Sequence, residues 1–298
     1  MKNTLALATA FILLWSCSNQ SSVSPANEQS SSNTDSSAKS EAPASTPAAK
    51  RVMADAATIM ARQQVPVLCY HHIYDIPKAT REYDVTVNEF KRQMKMLHDS
   101  GYHSILPDQL YNYLAYGDPL PQKPFMITYD DTDAEQFSVA KPEMDKYGFK
   151  GVYFLMTISI GRPRYMNKEQ IKQLADEGHA IASHTWDHHR VDRYKFENTI
   201  EERGVKKVVN DYEQQLGKTK KTIEAITGKP VQDFAYPFGI WSSAAIPEIR
   251  KQGYRMAFQL STKRDTSEPL YTVRRMIVAP TWSAEGMLRV MKSTFGRD

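Results

Sequence analysis

From residue 65 onward, short β-rich runs alternate with amphipathic stretches of helical length, and this alternation constrains the fold more than any other feature of the chain. The runs cover 65–73, 125–129, 151–156, 180–183, 233–236, 256–260 and 271–278. Between them, Phe90, Met94 and Leu97 fall at i, i+4 and i+7 ahead of Gly101, a helix stop. Asn167 caps a second predicted helix over 167–177, with Ile171 and Leu174 on one face and Gly178 at its end. A third is predicted over 208–226, before Gly228-Lys229-Pro230. A strand followed by a helix returns the chain to the same end of the sheet, so the next strand pairs in parallel. About seven such units predict an α/β fold and point to a (β/α)7-type barrel rather than an open sheet, forming one domain over 63–298. A domain of this size buries about three quarters of its unfolded surface and needs no disulfide staples.

The first sixty residues have a different texture. Lys2 precedes an apolar run over 5–15 that is too short to cross a bilayer, which takes about 20 residues, but fits the core of a signal peptide. It ends in Leu14-Trp15-Ser16-Cys17, which resembles a bacterial lipoprotein signal with Cys17 as the acylated residue. A plain secretory signal is the alternative. Residues 18–62, mostly Ser, Ala, Pro, Asn, Gln and Glu, cannot bury enough surface to order themselves and read as a tether, with a short helix an option over 51–64. The expected location is therefore the cell envelope, anchored to a membrane by lipid and facing the periplasm or exterior. With Cys17 lipidated, Cys69 is a lone thiol in a strand. The net charge of +4 comes without a Lys/Arg block, which argues against a nucleic-acid partner; the oligomeric state is left open.

Three segments at the carboxyl ends of predicted strands carry chemistry, and barrels place active sites there. Asp130 and Asp131 follow the run ending at Tyr129; such a pair can divide metal binding and proton transfer, or simply cap a turn. After the run 180–183 come His184, His188 and His189, three of the chain's eight histidines. Two neutral imidazoles and a carboxylate, with positions left open, form the ligand set of a hydrolytic zinc site. The third segment, Tyr236-Pro237-Phe238-Gly239 followed by Trp241, offers an aromatic wall and exposed N–H groups, although alone it is only a strand ending in a turn.

Together these segments resemble the polysaccharide deacetylase family with the NodB homology domain, carbohydrate esterase family 4, over residues 65–282. Thr128-Tyr129-Asp130-Asp131 resembles the T-F-D-D motif, His184 to His188 the H-[ST]-x-x-H motif, and Ala235 to Gly239 the R-x-P-[FY]-G motif. Cys69-Tyr70-His71-His72-Ile73 and Tyr271-Thr272-Val273-Arg274-Arg275 are closest in flavour to the branch that deacetylates poly-N-acetylglucosamine. The resemblance implies a distorted (β/α)7-type barrel forming a single catalytic domain, and a metal-dependent N-deacetylase of a cell-envelope or biofilm polysaccharide. Asp131, His184 and a second histidine would hold a divalent metal, Zn2+ first, with Co2+, Ni2+ or Mn2+ as alternatives. Asp130 would be the base, and the Phe238 N–H would face the oxyanion. Tyr236, Pro237, Phe238, Gly239, Trp241, Arg274 and Arg275 would line the substrate.

The sequence departs from the family at two points. Ala235 stands where many members carry an Arg that orients the catalytic Asp, and Leu260-Ser261-Thr262 lacks the usual acidic-role histidine. Arg274 or Arg275 is a candidate for the missing cation, and His71 or His72 for an approach from the first strand. The second metal histidine is His188 by the i, i+4 pattern, which puts Val191 at an apolar position, or His189 by the i, i+5 pattern of the biofilm branch. An O-acetyl esterase acting on xylan-type substrates and a glycan-binding lipoprotein with little turnover are the competing readings.

Overall fold

A computed structural model describes residues 51–76 and 81–296. The apolar run, Cys17 and the tether up to residue 50 lie outside the described residues. The strands are β1 (Val67–Tyr70), β2 (His72–Tyr74), β3 (Asp84–Thr86), β4 (His103–Ser104), β5 (Pro124–Tyr129), β6 (Gly151–Leu155), β7 (Ala180–Ser183), β8 (Asn198–Glu202), β9 (Val205–Val209), β10 (Asp233–Ala235), β11 (Met256–Gln259), β12 (Val273–Arg274) and β13 (Met276–Ile277). The α-helices are α1 (Ala56–Ala61), α2 (Val87–Asp99), α3 (Pro107–Tyr116), α4 (Lys141–Asp145), α5 (Lys168–Asp176), α6 (Lys218–Thr227), α7 (Ile246–Lys251) and α8 (Ala284–Phe295).

The central sheet runs β12-β11-β10-β7-β6-β5-β1-β13, with every pairing parallel and β4 added beside β5. β12 and β13 are two halves of one segment. The first half pairs with β11 and, after Arg275, the second pairs with β1. That segment brings the ring close to closure. With it counted once, the staves are β1, β5, β6, β7, β10, β11 and 273–277, the seven that the alternation predicts. Strands buried on both faces read as unbroken apolar runs, and β6 (Gly-Val-Tyr-Phe-Leu) is buried throughout.

Local signals place the helices as expected. Thr86 Oγ1 accepts from Glu89 N at the start of α2, and Phe90, Met94 and Leu97 turn inward. Burying each of these is worth about 1.5–3 kcal/mol. Asn167 and Gln170 cap α5 reciprocally, at 2.8 and 2.9 Å. Two expectations are corrected. Residues 208–209 end a hairpin, β8–β9, whose two-residue turn has Arg203 and Gly204 both at positive φ. The third helical stretch therefore begins after Asn210, as a π-helical turn (Tyr212–Gly217) leading into α6. The folded body also starts before residue 63: α1 is capped by Asp55 and buries Ile59. Among the described residues no helix is long and apolar enough to cross a membrane.

Candidate active site

The site forms where β1, β5, β7 and the 273–277 segment end. The run predicted over 65–73 breaks at His71, between β1 and β2, and the run over 271–278 breaks at Arg275. Each break carries a side chain to Asp130.

Asp130 is 1% exposed. Arg275, also buried, meets it in a fork: Nη1 donates to Oδ1 at 2.7 Å and Nη2 to Oδ2 at 2.8 Å. Burial alone would raise the Asp130 carboxyl, but the Arg275 guanidinium, helped by His184, holds it well below the usual carboxylate range. Arg275 is thus the cation that Ala235 does not supply, and it is not a substrate-lining residue. Its Nη1 also donates to Thr128 Oγ1, 3.2 Å away, and its guanidinium lies over the Phe154 ring.

Asp131, His184 and His188 converge beside Asp130. Asp131 Oδ1 is 3.6 Å from Nε2 of each histidine. His184 Nδ1 donates to the carbonyl of Ala235 at 2.9 Å, which leaves Nε2 as a bare lone pair. Burial lowers the pKa of His184 to about 3 and also lowers that of His188, so both rings are neutral at pH 7. Burial pushes Asp131 up to about 6. Asp131 Oδ1 and His184 Nε2 are buried without a hydrogen-bond partner. Acceptor atoms aimed at one another with no donor between them need a cation, so this donor set fits a divalent metal.

Backbone conformation contributes as well. Asp131, Thr132, Thr185, His188 and Phe238 all have φ between 59° and 74°, a region that non-glycine residues avoid. Each such residue costs about 1–3 kcal/mol and persists only when its surroundings hold it. Thr132 Oγ1 accepts from Met156 N at 2.8 Å, and Thr185 Oγ1 accepts from His188 N at 2.9 Å. Two buried glutamines in π-helical turns brace the loops. Gln136 Nε2 donates to the carbonyls of Asp130 and His71, while Gln215 Oε1 accepts from Trp186 N and Nε2 donates to Asp187 Oδ1. Sequence reasoning missed both glutamines, since neither stands in a motif.

His71 completes the floor. Its Nε2 lies 3.9 Å from Asp130 Oδ2 and its ring packs 4.9 Å from that of Tyr83. His72 instead bonds the buried carboxylate of Asp133 and stacks on Tyr74. His189 points away from the ligand cluster and stacks on Tyr194, so His188 is the histidine that joins Asp131 and His184.

Several expected substrate-lining residues do other work. Tyr236 is fully buried and donates to the Tyr271 carbonyl at 3.0 Å. Pro237 is buried too, and a Cβ on Gly239 would meet Leu260 Cβ at 2.3 Å, so only glycine fits there. Arg274 lies over the Phe295 ring, away from Asp130, and Trp241 packs partly into the core. Phe238 does reach the surface, 58% exposed, with its ring 4.4 Å from that of His188. A groove of about 980 Å³ between α5 and α6, lined by Lys168, Lys172, Lys218 and Lys221 with Glu169 and Glu213, holds no histidine or cysteine.

A clamped, ionised carboxylate beside an Asp-His-His ligand set, at the carboxyl ends of parallel barrel strands, defines a hydrolase. The chain matches the family model for polysaccharide deacetylase over residues 117–257. It is 27% identical over 223 residues to the putative polysaccharide deacetylase YxkH of Bacillus subtilis, covering 74% of this chain and 73% of that one. It is 26% identical over 216 residues to the poly-beta-1,6-N-acetyl-D-glucosamine N-deacetylase of Staphylococcus aureus, covering 69% and 72%. The fold matches that of the Streptococcus pyogenes deacetylase PplD in complex with acetate, with TM-score 0.66 at 20% identity, over 76% of this chain and 98% of that one.

Proposed function

We propose that this protein removes acetyl groups from N-acetylhexosamine residues of a cell-envelope or biofilm polysaccharide, with a divalent metal held by Asp131, His184 and His188. The observation that carries the reading is the convergence of three unprotonated ligand atoms next to a carboxylate kept ionised by Arg275. Zinc, the first choice for an Asp-His-His set, would supply Lewis-acid polarisation of the acetamide carbonyl and acidify the attacking water. Asp130 accepts the proton of that water, and Arg275 fixes the orientation of its carboxylate. The Phe238 N–H, at the rim beside His188, donates to the developing oxyanion. His71 is the ring placed to hand a proton to the departing nitrogen, since its Nε2 faces Asp130 Oδ2 across 3.9 Å. Amine departure needs this acid more than alcohol departure does, and a ring in that position favours amide over ester. For the lipid anchor, support comes from the apolar run ending at Cys17.

The test is acetate release from N-acetylglucosamine oligomers and from acetylated xylan, comparing the unaltered protein with Asp130→Asn and His184→Ala. Loss of amide cleavage in both variants is expected. Cleavage of the ester alone would overturn the substrate class, and tight oligomer binding without release would support a binding protein instead.

A further inference from the structure

A second set of ligand atoms shares Asp130 and His71 with the proposed catalytic site. Cys69, buried on β1, places Sγ 3.5 Å from Asp130 Oδ2 and 4.0 Å from His71 Nδ1. One ligand atom from each of these residues lies within 4.8 Å of the other two. Around a tetrahedral zinc with bonds of about 2.0–2.3 Å, neighbouring ligand atoms sit roughly 3.3–3.6 Å apart. Small side-chain rotations would close the set on an ion. The bland account of Cys69 is that of a small apolar residue packing a core strand, which any alanine would satisfy. That account leaves out the thiol's hydrogen bond to Asp130 Oδ2 and its approach to His71 Nδ1, polar contacts that alanine could not make.

We infer that Cys69, His71 and Asp130 form a second, inhibitory site for a thiophilic divalent ion such as Zn2+ or Co2+, filled after the Asp131–His184–His188 set. The order of filling follows from Arg275, which already occupies both Asp130 oxygens and repels a cation there. The charges of Asp130, Asp131, Asp133 and the thiolate offset most of that of two ions and Arg275. On binding, the Cys69 thiol gives its proton to solvent as the sulfur–metal bond forms, and nothing is oxidised. Ions that prefer oxygen, Mg2+ and Mn2+, gain little from the sulfur. The inhibitory effect rests on the proposed deacetylase mechanism, because the ion would take its base and its acid together; the binding does not.

The full-length protein, stripped of metal, is titrated with Co2+ while bound cobalt and the near-ultraviolet thiolate-to-cobalt charge-transfer band are followed. The band is expected only with the second equivalent, and in neither Cys69→Ala nor Cys69→Ser. Retention of the first equivalent shows that both variants are folded. In parallel, excess Zn2+ should cut acetate release about tenfold or more relative to one equivalent, Mn2+ should not, and Cys69→Ala should stay within about twofold of its own one-equivalent rate. Absence of the band at every loading, its appearance with the first equivalent, or equal zinc inhibition in Cys69→Ala would each overturn the proposal. A protein inactive on these substrates that still shows the second-equivalent band refutes the enzymatic reading and leaves the metal site standing.

Discussion

Arg275 grips Asp130 with two parallel hydrogen bonds, of 2.7 and 2.8 Å, from the point where the last barrel segment breaks between β12 and β13. The seam of the barrel and the orientation of the proposed base therefore depend on one side chain. Arg275→Met should cost about 3–5 kcal/mol, because it leaves a buried carboxylate without a partner. Arg275→Lys keeps the charge and loses the fork, so it should recover stability better than rate. Both should lower kcat by about 10²-fold or more. The sign of the pH effect is fixed. Arg275 holds the Asp130 carboxyl low, so removing it raises that carboxyl, and the acid limb of the kcat/KM profile must move to higher pH. An unmoved limb in Arg275→Met would show that Asp130 is not the group titrating there.

The choice between His188 and His189 can be measured directly. His188→Ala should lose metal on dialysis and His189→Ala should keep it, read as metal bound per chain. The geometry behind this is the 3.6 Å approach of His188 Nε2 to Asp131 Oδ1, against the stacking of His189 on Tyr194. The reverse result would mean that the loop rearranges around the ion.

How far the sequence disclosed this molecule varies with the range of the interactions involved. The candidates Asp130 and Asp131, and His184 and His188, are legible because each pair follows one strand at short range. The role of Arg275 was only one of two options, since the fork to Asp130 joins residues far apart in the chain and depends on how the ring closes. Tyr236, Pro237 and Gly239 were misassigned because a motif records which residues recur without saying whether they touch ligand or packing. Here they pack, and Phe238 alone of that turn reaches the surface beside His188. The β8–β9 hairpin was hidden for a related reason: its β-branched residues are mixed with charges on an exposed ribbon, where no apolar face enforces alternation.

The same turn separates packing from binding by experiment. Gly239→Ala should destabilise by about 1–3 kcal/mol, because its Cβ collides with Leu260 and φ is +66°. Phe238→Ala should change stability by no more than about 0.5 kcal/mol. It retains the backbone N–H assigned to the oxyanion, so its effect should fall on KM, about three- to tenfold for oligomers, through the lost ring. A large fall in kcat with KM unchanged would place the ring in the chemistry itself.

If Cys17 carries the lipid, Cys17→Ala should move the protein from the membrane fraction to the soluble fraction without changing the activity per chain. Fractionation and intact mass decide this; an unmodified Cys17 in a membrane-bound chain would point to another anchor.

Removing the metal should expose the cost of the empty ligand set as a pH-dependent loss of stability. Asp131 illustrates the linkage. Burial raises its carboxyl from an ordinary value near 3.8 to about 6 in the metal-free fold. A carboxyl whose folded pKa lies above its unfolded one favours the fold when protonated. Its contribution is therefore whole below the unfolded value and is lost as pH rises towards and through about 6. The metal-free protein should accordingly lose up to about 3 kcal/mol between pH 4 and pH 7 from this group. Asp130 acts in the opposite sense only at lower pH, since its carboxyl is held low and its contribution fades as pH falls below about 3.9. A bound divalent ion favours ionised Asp131 and reverses the slope above pH 4. Denaturant melts at several pH values, with and without one equivalent of zinc, read both branches. A metal-free protein as stable at pH 7 as at pH 5 would mean that Asp131 is already ionised and that its environment in solution is wetter than this fold implies.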